Sequence, residues 1–70
     1  MIDIMKTFTA IIQKEEDMYV ARCAELGTTS QGSSVKEALI NLKEATELYL
    51  EEFPRKDVQS PVIKKFEVAD

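Results

Sequence analysis

Apolar and polar residues alternate in two stretches near the start of the chain. Lys6 to Gln13 places one apolar set on a single face, namely Phe8, Ala10 and Ile12. Met18 to Leu26 repeats the alternation with Met18, Val20, Ala24 and Leu26, a face that Arg22 interrupts. Such alternation is typical of half-buried strands. The charged run at 14–17 between them is of loop length and predicts a β-hairpin.

The next apolar pattern has the period of a helix. Around Leu42, one stripe contains Val35, Ala38, Leu39, Ala45, Thr46, Tyr49 and Phe53. Ser34 precedes the stripe as a candidate N-cap, and Glu37 follows at the spacing of a capping box. Pro54 ends the helix, because proline cannot donate to the helical hydrogen-bond ladder.

Shorter patterns complete the predicted order of elements. Thr28 to Gln31 is polar and β-prone and suits a third, edge strand, with Gly32 as the position of a positive φ before the helix. A polar connector, Arg55 to Pro61, leads to a final strand at Val62 to Val68. The chain is therefore predicted to be one α+β domain spanning 1–70, a small antiparallel sheet with one packed helix in the order β-β-β-α-β.

Size and charge narrow the function classes. A chain of 70 residues with a single cysteine, Cys23, forms no internal disulfide and is marginally stable alone, which favours a homo-oligomer. Cys23 is predicted to be a small buried residue. The net charge of −4 argues against direct nucleic-acid binding. No segment has the length of a membrane span or the pattern of a signal peptide, so we expect a cytoplasmic protein.

Candidate catalytic groups are few. The chain has no histidine, the commonest general base and metal ligand. Its 13 acidic residues fall mainly on a predicted hairpin tip and an exposed helix face, where charges are usually solvated. We therefore predict no catalytic residue, no metal site and no cofactor, and no enzyme activity.

One feature of the helix suggests a partner. Ile40 and Leu48 project away from the main stripe, on a face rich in carboxylates. Two exposed apolar residues are ordinary on a protein surface. Framed by carboxylates, they can equally form a narrow partner-binding strip with an acidic rim. The candidate partner-binding residues are Glu37, Ile40, Glu44, Glu47 and Leu48.

An ordered set of short motifs resembles the HicB-like antitoxin family over about residues 6 to 53. The motifs are FTAII at 8–12, YVA at 19–21, ELG at 25–27, SQG at 30–32, EAL at 37–39, NLKEA at 41–45 and ELYLE at 47–51. The resemblance implies a partial ribonuclease-H-like fold without the metal-binding carboxylates of that fold. It also implies a partner, a HicA-type toxin, which is a small basic ribonuclease that cleaves messenger RNA.

Many HicB-like proteins also carry a C-terminal DNA-binding domain. Only two residues follow Val68, so we expect a single-domain form without it.

Three functions remain open from the sequence. The first is a toxin-neutralising binding protein that occludes the active surface of a HicA-type toxin. The second is an oligomeric structural or regulatory module without a toxin partner, and the third is a cryptic nuclease, which would need several carboxylates around metal ions. The sequence leaves open whether the helix or the sheet face meets a partner, and whether the last strand is exchanged between protomers.

Overall fold

A computed structural model describes residues 7–54 and 61–69 of the chain. The first of these ranges forms a three-stranded antiparallel sheet followed by one helix. The elements are β1 (Ala10–Glu15), β2 (Met18–Cys23), β3 (Thr29–Gly32) and α1 (Val35–Glu52). The strand order is β1-β2-β3, which makes β2 the central strand. The predicted α+β class and the order β-β-β-α are confirmed.

The predicted hairpin is formed by β1 and β2, with a shorter loop than the sequence pattern suggests. Pairing continues to Glu15 opposite Met18, which leaves Glu16 and Asp17 as the loop. Glu16 has a φ of 56°, and positive φ at the first position suits the twist of a two-residue hairpin. Residues 14 and 15 therefore belong to β1 rather than to the loop.

The start of β1 also differs from the prediction. Lys6 lies outside the described residues, and 7–9 have no strand assignment. The N–H of Thr9 donates to a carboxylate oxygen of Glu25 at 2.8 Å instead of a strand carbonyl. The carbonyl of Thr9 still accepts from the N–H of Ala24 at 2.9 Å, so before Ala10 only one side of the ladder is replaced by a side-chain contact.

The sequence pattern predicts that the face of β2 with Met18 and Val20 is the buried one, and this prediction is wrong. Ala21 and Cys23 are the buried residues of this strand, whereas Met18 and Arg22 are exposed. The register places Cys23 opposite Ala10 and Ala21 opposite Ile12, and directly opposed residues share one face of a sheet. The inner face predicted for β1 is confirmed, because Phe8, Ala10 and Ile12 pack against the core.

Small side chains explain why this face of β2 is inside. The buried core consists of Ala21, Cys23, Ala38 and Leu42. Alanine and cysteine let the helix backbone approach the sheet closely, which larger residues at the same positions would prevent. The pattern of large apolar residues pointed to the other face, because it takes no account of how close the helix must lie. The prediction that Cys23 is a small buried residue is confirmed.

The predicted end of β2 is also too late, because 24–26 form a turn. The N–H of Gly27 donates to the carbonyl of Cys23 at 2.8 Å and closes this turn. Gly27 has a φ of +82°, whereas Gly32, the predicted site of positive φ, does not have one. A Cβ built on Gly32 would lie 2.5 Å from the backbone nitrogen of Ala38. Gly32 is therefore needed for close contact with the helix, not for an unusual backbone angle.

The start of α1 follows the predicted cap. The hydroxyl oxygen of Ser34 accepts a hydrogen bond from the N–H of Glu37 at 3.1 Å. The Glu37 carboxylate accepts from the N–H of Ser33 at 2.8 Å, one residue earlier than a standard capping box requires. The helix ends at Glu52, and Phe53, just before Pro54, is its C-cap.

The buried face of α1 is narrower than the predicted stripe. Ala38, Leu42 and Thr46 are buried, and the hydroxyls of Thr46 and Thr28 share a hydrogen bond of 2.9 Å. The other stripe residues do not reach the same depth. Three of them, each about half exposed, are Val35, Leu39 and Phe53.

The predicted last strand is not formed. Residues 61–69 have neither helix nor strand, and the part of the Arg55 to Pro61 connector at 55–60 lies outside the described residues. A strand needs a partner edge for its N–H and C=O groups. Within the described chain, Val62 to Val68 has no such partner, since the sheet contains β1, β2 and β3 alone. We call residues Val62 to Val68 the tail segment.

Candidate functional site

All five predicted partner-binding residues lie on α1 and are exposed. We call this set the helix strip: Glu37, Ile40, Glu44, Glu47 and Leu48. Ile40 is 55% exposed and Leu48 is 59% exposed, so neither is needed to fill the core. The helical repeat places these two apolar residues about 80° apart around the axis.

Glu37 already has a structural role in the helix strip. Its carboxylate accepts from the N–H of Ser33 and lies 3.3 Å from the hydroxyl of the same serine. A negative charge in the first turn also suits the positive end of the helix dipole. Part of its hydrogen-bonding capacity is therefore used to begin the helix.

The structure divides the rest of the strip between two sides of the helix. Ile40 and Glu47 line a cavity of about 500 Å³ between α1 and the β1 side of the sheet. Glu44 and Leu48 do not line it. The helix strip therefore has a cavity side, Ile40 and Glu47, and a solvent side, Glu44 and Leu48.

This cavity, which we call the β1 groove, exists because the helix does not lie evenly over the sheet. The helix is tied to β3 by a hydrogen bond of 2.9 Å from the Asn41 amide to the carbonyl of Gln31. The helix contacts β1, on the opposite side of β2, less than it contacts β3. The groove is lined by Phe8, Thr9, Ala10, Cys23, Leu39, Ile40, Leu42, Lys43, Thr46, Glu47 and Leu50.

Several groove residues do not appear among the sequence-based site residues. Leu39 is assigned by the pattern to the core stripe, yet it is about half exposed and lines the groove. Phe8 and Leu50 line it as well. The sequence contained one sign of the groove. The apolar stripe of α1 is wider than the contact that a single helix makes with a three-stranded sheet. The charged groups of the groove are Lys43 and Glu47.

The free edge of β1 lies beside this groove. β1 pairs with β2 along one side, and no described strand pairs with its other side. An edge strand presents unpaired N–H and C=O groups that can accept another strand. A groove of apolar side chains thus stands next to a row of backbone hydrogen-bonding groups.

The outer face of the sheet offers a weaker alternative surface. It carries Ile11 opposite Arg22 and Gln13 opposite Val20. Ile11 is exposed, at 37%. Apolar and charged residues are interspersed here, so the outer face has no apolar patch comparable with the groove.

Glu25 is the most connected carboxylate of the described chain, and the sequence pattern gave no sign of it. Its oxygens accept from the N–H of Thr9 at 2.8 Å, the hydroxyl of Thr9 at 2.9 Å and the thiol of Cys23 at 3.5 Å. Burial raises the pKa of Glu25, but hydrogen bonds from Thr9, from its own backbone and from Cys23 together lower the pKa below its ordinary value. This arrangement joins the start of β1 to the turn after β2.

The described residues contain neither a metal-binding cluster nor a membrane-spanning helix. Within 7–54 and 61–69, no group of three or more histidine, cysteine, aspartate or glutamate side chains is placed to hold a metal ion. No helix in the described part of the chain has both the length and the apolar content needed to cross a bilayer.

Comparison with curated proteins finds two relatives. UPF0150 protein Ta0767 of Thermoplasma acidophilum is 43% identical over 56 residues, which are 77% of this chain and 81% of that protein. A UPF0150 protein of Helicobacter pylori is 55% identical over 42 residues, which are 59% of this chain and 58% of that protein. No family model matches the chain. No solved structure matches it either.

Proposed function

The chain belongs to the UPF0150 family, and we propose that it is a HicB-like antitoxin, a non-catalytic protein that binds a partner. The proposed partner is a small basic toxin of the HicA type. The chain would neutralise this toxin by covering its RNA-cleaving surface. The observation that carries the proposal is the helix strip, where two exposed apolar residues are surrounded by carboxylates on a rigid helix.

Charge supports a basic partner. The chain has a net charge of −4, and the strip contributes three carboxylates, Glu37, Glu44 and Glu47. Complementary charge speeds encounter and selects partners. Contact of Ile40 and Leu48 with apolar residues of the toxin would then hold the complex, because buried apolar contact dominates the centre of an interface.

The carboxylates of the described chain favour binding over catalysis. A general acid or base is usually a group whose pKa has been moved toward neutrality. The pKa of Glu25 is moved the other way, below its ordinary value. The carboxylates of the strip are exposed and all lie on one helix. This arrangement supports a surface that is recognised rather than a site that reacts.

Growth rescue tests the proposal in cells. Co-expression of the chain with a HicA-type toxin encoded beside it is expected to relieve the growth arrest that the toxin causes. Leu48→Asp is expected to abolish rescue, because it places a charge where apolar contact is needed. Ile11→Asp, an equal change on the outer sheet face, is the matched control and should rescue normally.

Two results would count against this proposal. Absence of rescue by the unchanged chain, together with absence of a complex in pull-down, would remove the antitoxin function. Loss of rescue by Ile11→Asp with retention by Leu48→Asp would move the binding surface to the outer sheet face. Comparable soluble expression of both variants is the control for folding.

The alternative function, an oligomeric structural or regulatory module, also has an observation in its favour. The β1 groove and the exposed tail segment suit self-association and do not require a toxin. A stable oligomer that neither binds nor neutralises a small basic protein would favour this alternative.

A further inference from the structure

The tail segment has the pattern of a strand but none of its contacts. Val62, Phe66 and Val68 are 76–85% exposed and share one parity, together with Lys64. Pro61 stands immediately before them, and proline is tolerated at the first residue of a strand. Four large apolar side chains, these three and Ile63, are thus left in water. A group of exposed apolar side chains of this kind indicates a surface that binds a partner.

The β1 edge and groove match this segment in length. β1 has six residues, or about 20 Å of strand, and the seven residues of the tail segment span about 23 Å when extended. A strand paired with the free edge of β1 would place alternate side chains over the groove. The even-numbered face of the tail segment, with Val62, Phe66 and Val68, is more apolar than the odd-numbered face and would point toward the groove.

The volume of the groove also fits this segment. The groove holds about 500 Å³, which accommodates an aromatic ring together with smaller apolar groups. Glu47 lies at the groove, and Lys64 has the same parity as Phe66. An inward-facing Phe66 would therefore bring Lys64 to the groove side of the sheet, where α1 carries both Glu47 and Lys43.

We propose that the tail segment of one copy pairs with the β1 edge of a second copy, with Phe66 in the β1 groove, and that the exchange is reciprocal. The tail segment contacts neither the edge nor the groove of its own chain. A reciprocal exchange closes both edges through a two-fold axis, so the assembly stops at a dimer. The exchange also adds buried apolar area, which is small in a chain of 70 residues. This dimer does not depend on the proposed antitoxin function.

Solution mass is the first test. Sedimentation equilibrium of the full chain is expected to give a dimer of 7.9 kDa subunits. Phe66→Asp is expected to raise the dimer Kd at least about 30-fold, the effect of losing one strong contact residue. Ile63→Asp, the same chemical change on the opposite parity, should change Kd by less than about threefold. The helical circular dichroism of both variants is expected to stay unchanged, since the tail segment is outside the core.

The second test locates the tail without a variant. Isotopically labelled and unlabelled chains are mixed under dissociating conditions and returned to dimer conditions. Isotope-filtered nuclear Overhauser spectra are expected to connect the Phe66 ring of one chain with the groove residues Ala10 and Leu39 of the other. A monomer at all concentrations, contacts of Phe66 within its own chain, or contacts of one tail with the other tail would each overturn the proposal.

Failure of this proposal is separable from failure of the antitoxin function. Leu48→Asp lies on the solvent side of the helix strip and is expected to leave the dimer intact. Phe66→Asp alters the dimer and leaves the solvent side of the strip, Glu44 and Leu48, unchanged. A dimer that breaks in Phe66→Asp while toxin binding is absent would support the exchange and reject the antitoxin function.

Discussion

Two glycines, Gly27 before β3 and Gly32 at its last position, are required for different reasons. Gly27 has a φ of +82° with open space where a Cβ would lie, whereas Gly32 has no positive φ and no space at all. A Cβ on Gly32 would lie 2.9 Å from the Cβ of Glu37 as well as close to Ala38. Substitution at Gly27 therefore strains the backbone, and substitution at Gly32 pushes the helix from the sheet.

Gly32→Ala is expected to destabilise the fold by about 1–3 kcal/mol, the usual range for inserting atoms into a packed contact. Gly27→Ala is expected to cost about 1–2 kcal/mol, from the left-handed backbone alone. Urea unfolding followed by circular dichroism measures both. A Gly32→Ala variant as stable as the unchanged chain would show that the helix can shift without loss.

Glu25 predicts a pH dependence of stability. Its folded-state pKa is lowered below the ordinary value of 4.5, so its contribution is fully present above pH 4.5 and is lost as pH falls through the folded-state pKa. The free energy of unfolding of Glu25→Gln is therefore expected to fall less steeply below pH 4.5 than that of the unchanged chain. Urea unfolding at several acidic pH values measures the slopes, and parallel slopes would contradict the assigned hydrogen bonds.

At the scale of elements, the sequence was sufficient for the helix and insufficient for β2. Helical periodicity, Ser34 and Pro54 placed α1 within a residue or two, because these signals are local. The inner face of β2 depends on how closely the helix approaches, and that distance is set by small residues on both elements. The tail segment was predicted as a strand from a local pattern, but pairing is not local and is absent within the described chain.

Ala21→Leu tests the assignment of the inner face of β2. Ala21 is fully buried against the helix, so added atoms are expected to destabilise the fold by about 1–3 kcal/mol. Val20→Leu, one residue earlier on the outer face, is expected to change stability by less than about 0.5 kcal/mol. Urea unfolding of the pair measures the difference, and the reverse order would place the helix on the other face of the sheet.

At the scale of the whole molecule, two surfaces are available for two kinds of contact. The β1 groove and free edge suit a strand from a second copy, and the solvent side of the helix strip suits an acidic contact with a basic partner. The helix strip was predictable from the helical pattern. The groove was not, because it arises only when the helix packs over β3 and β2 and leaves β1 partly covered.

Association with a basic toxin is expected to depend on salt. Electrostatic attraction between oppositely charged surfaces raises association rates, and dissolved ions screen it. Stopped-flow association is expected to slow by on the order of tenfold between low and physiological ionic strength. A rate that is independent of salt would contradict a charge-guided encounter.

Calorimetric titration of the HicA-type toxin with this chain tests most directly whether the protein acts by covering a partner's surface through the helix strip. The prediction is a stoichiometric complex that stops RNA cleavage, with a Kd that rises at least about 30-fold in Leu48→Asp. Absence of binding heat, or a Leu48→Asp variant that binds as tightly as the unchanged chain, would contradict it.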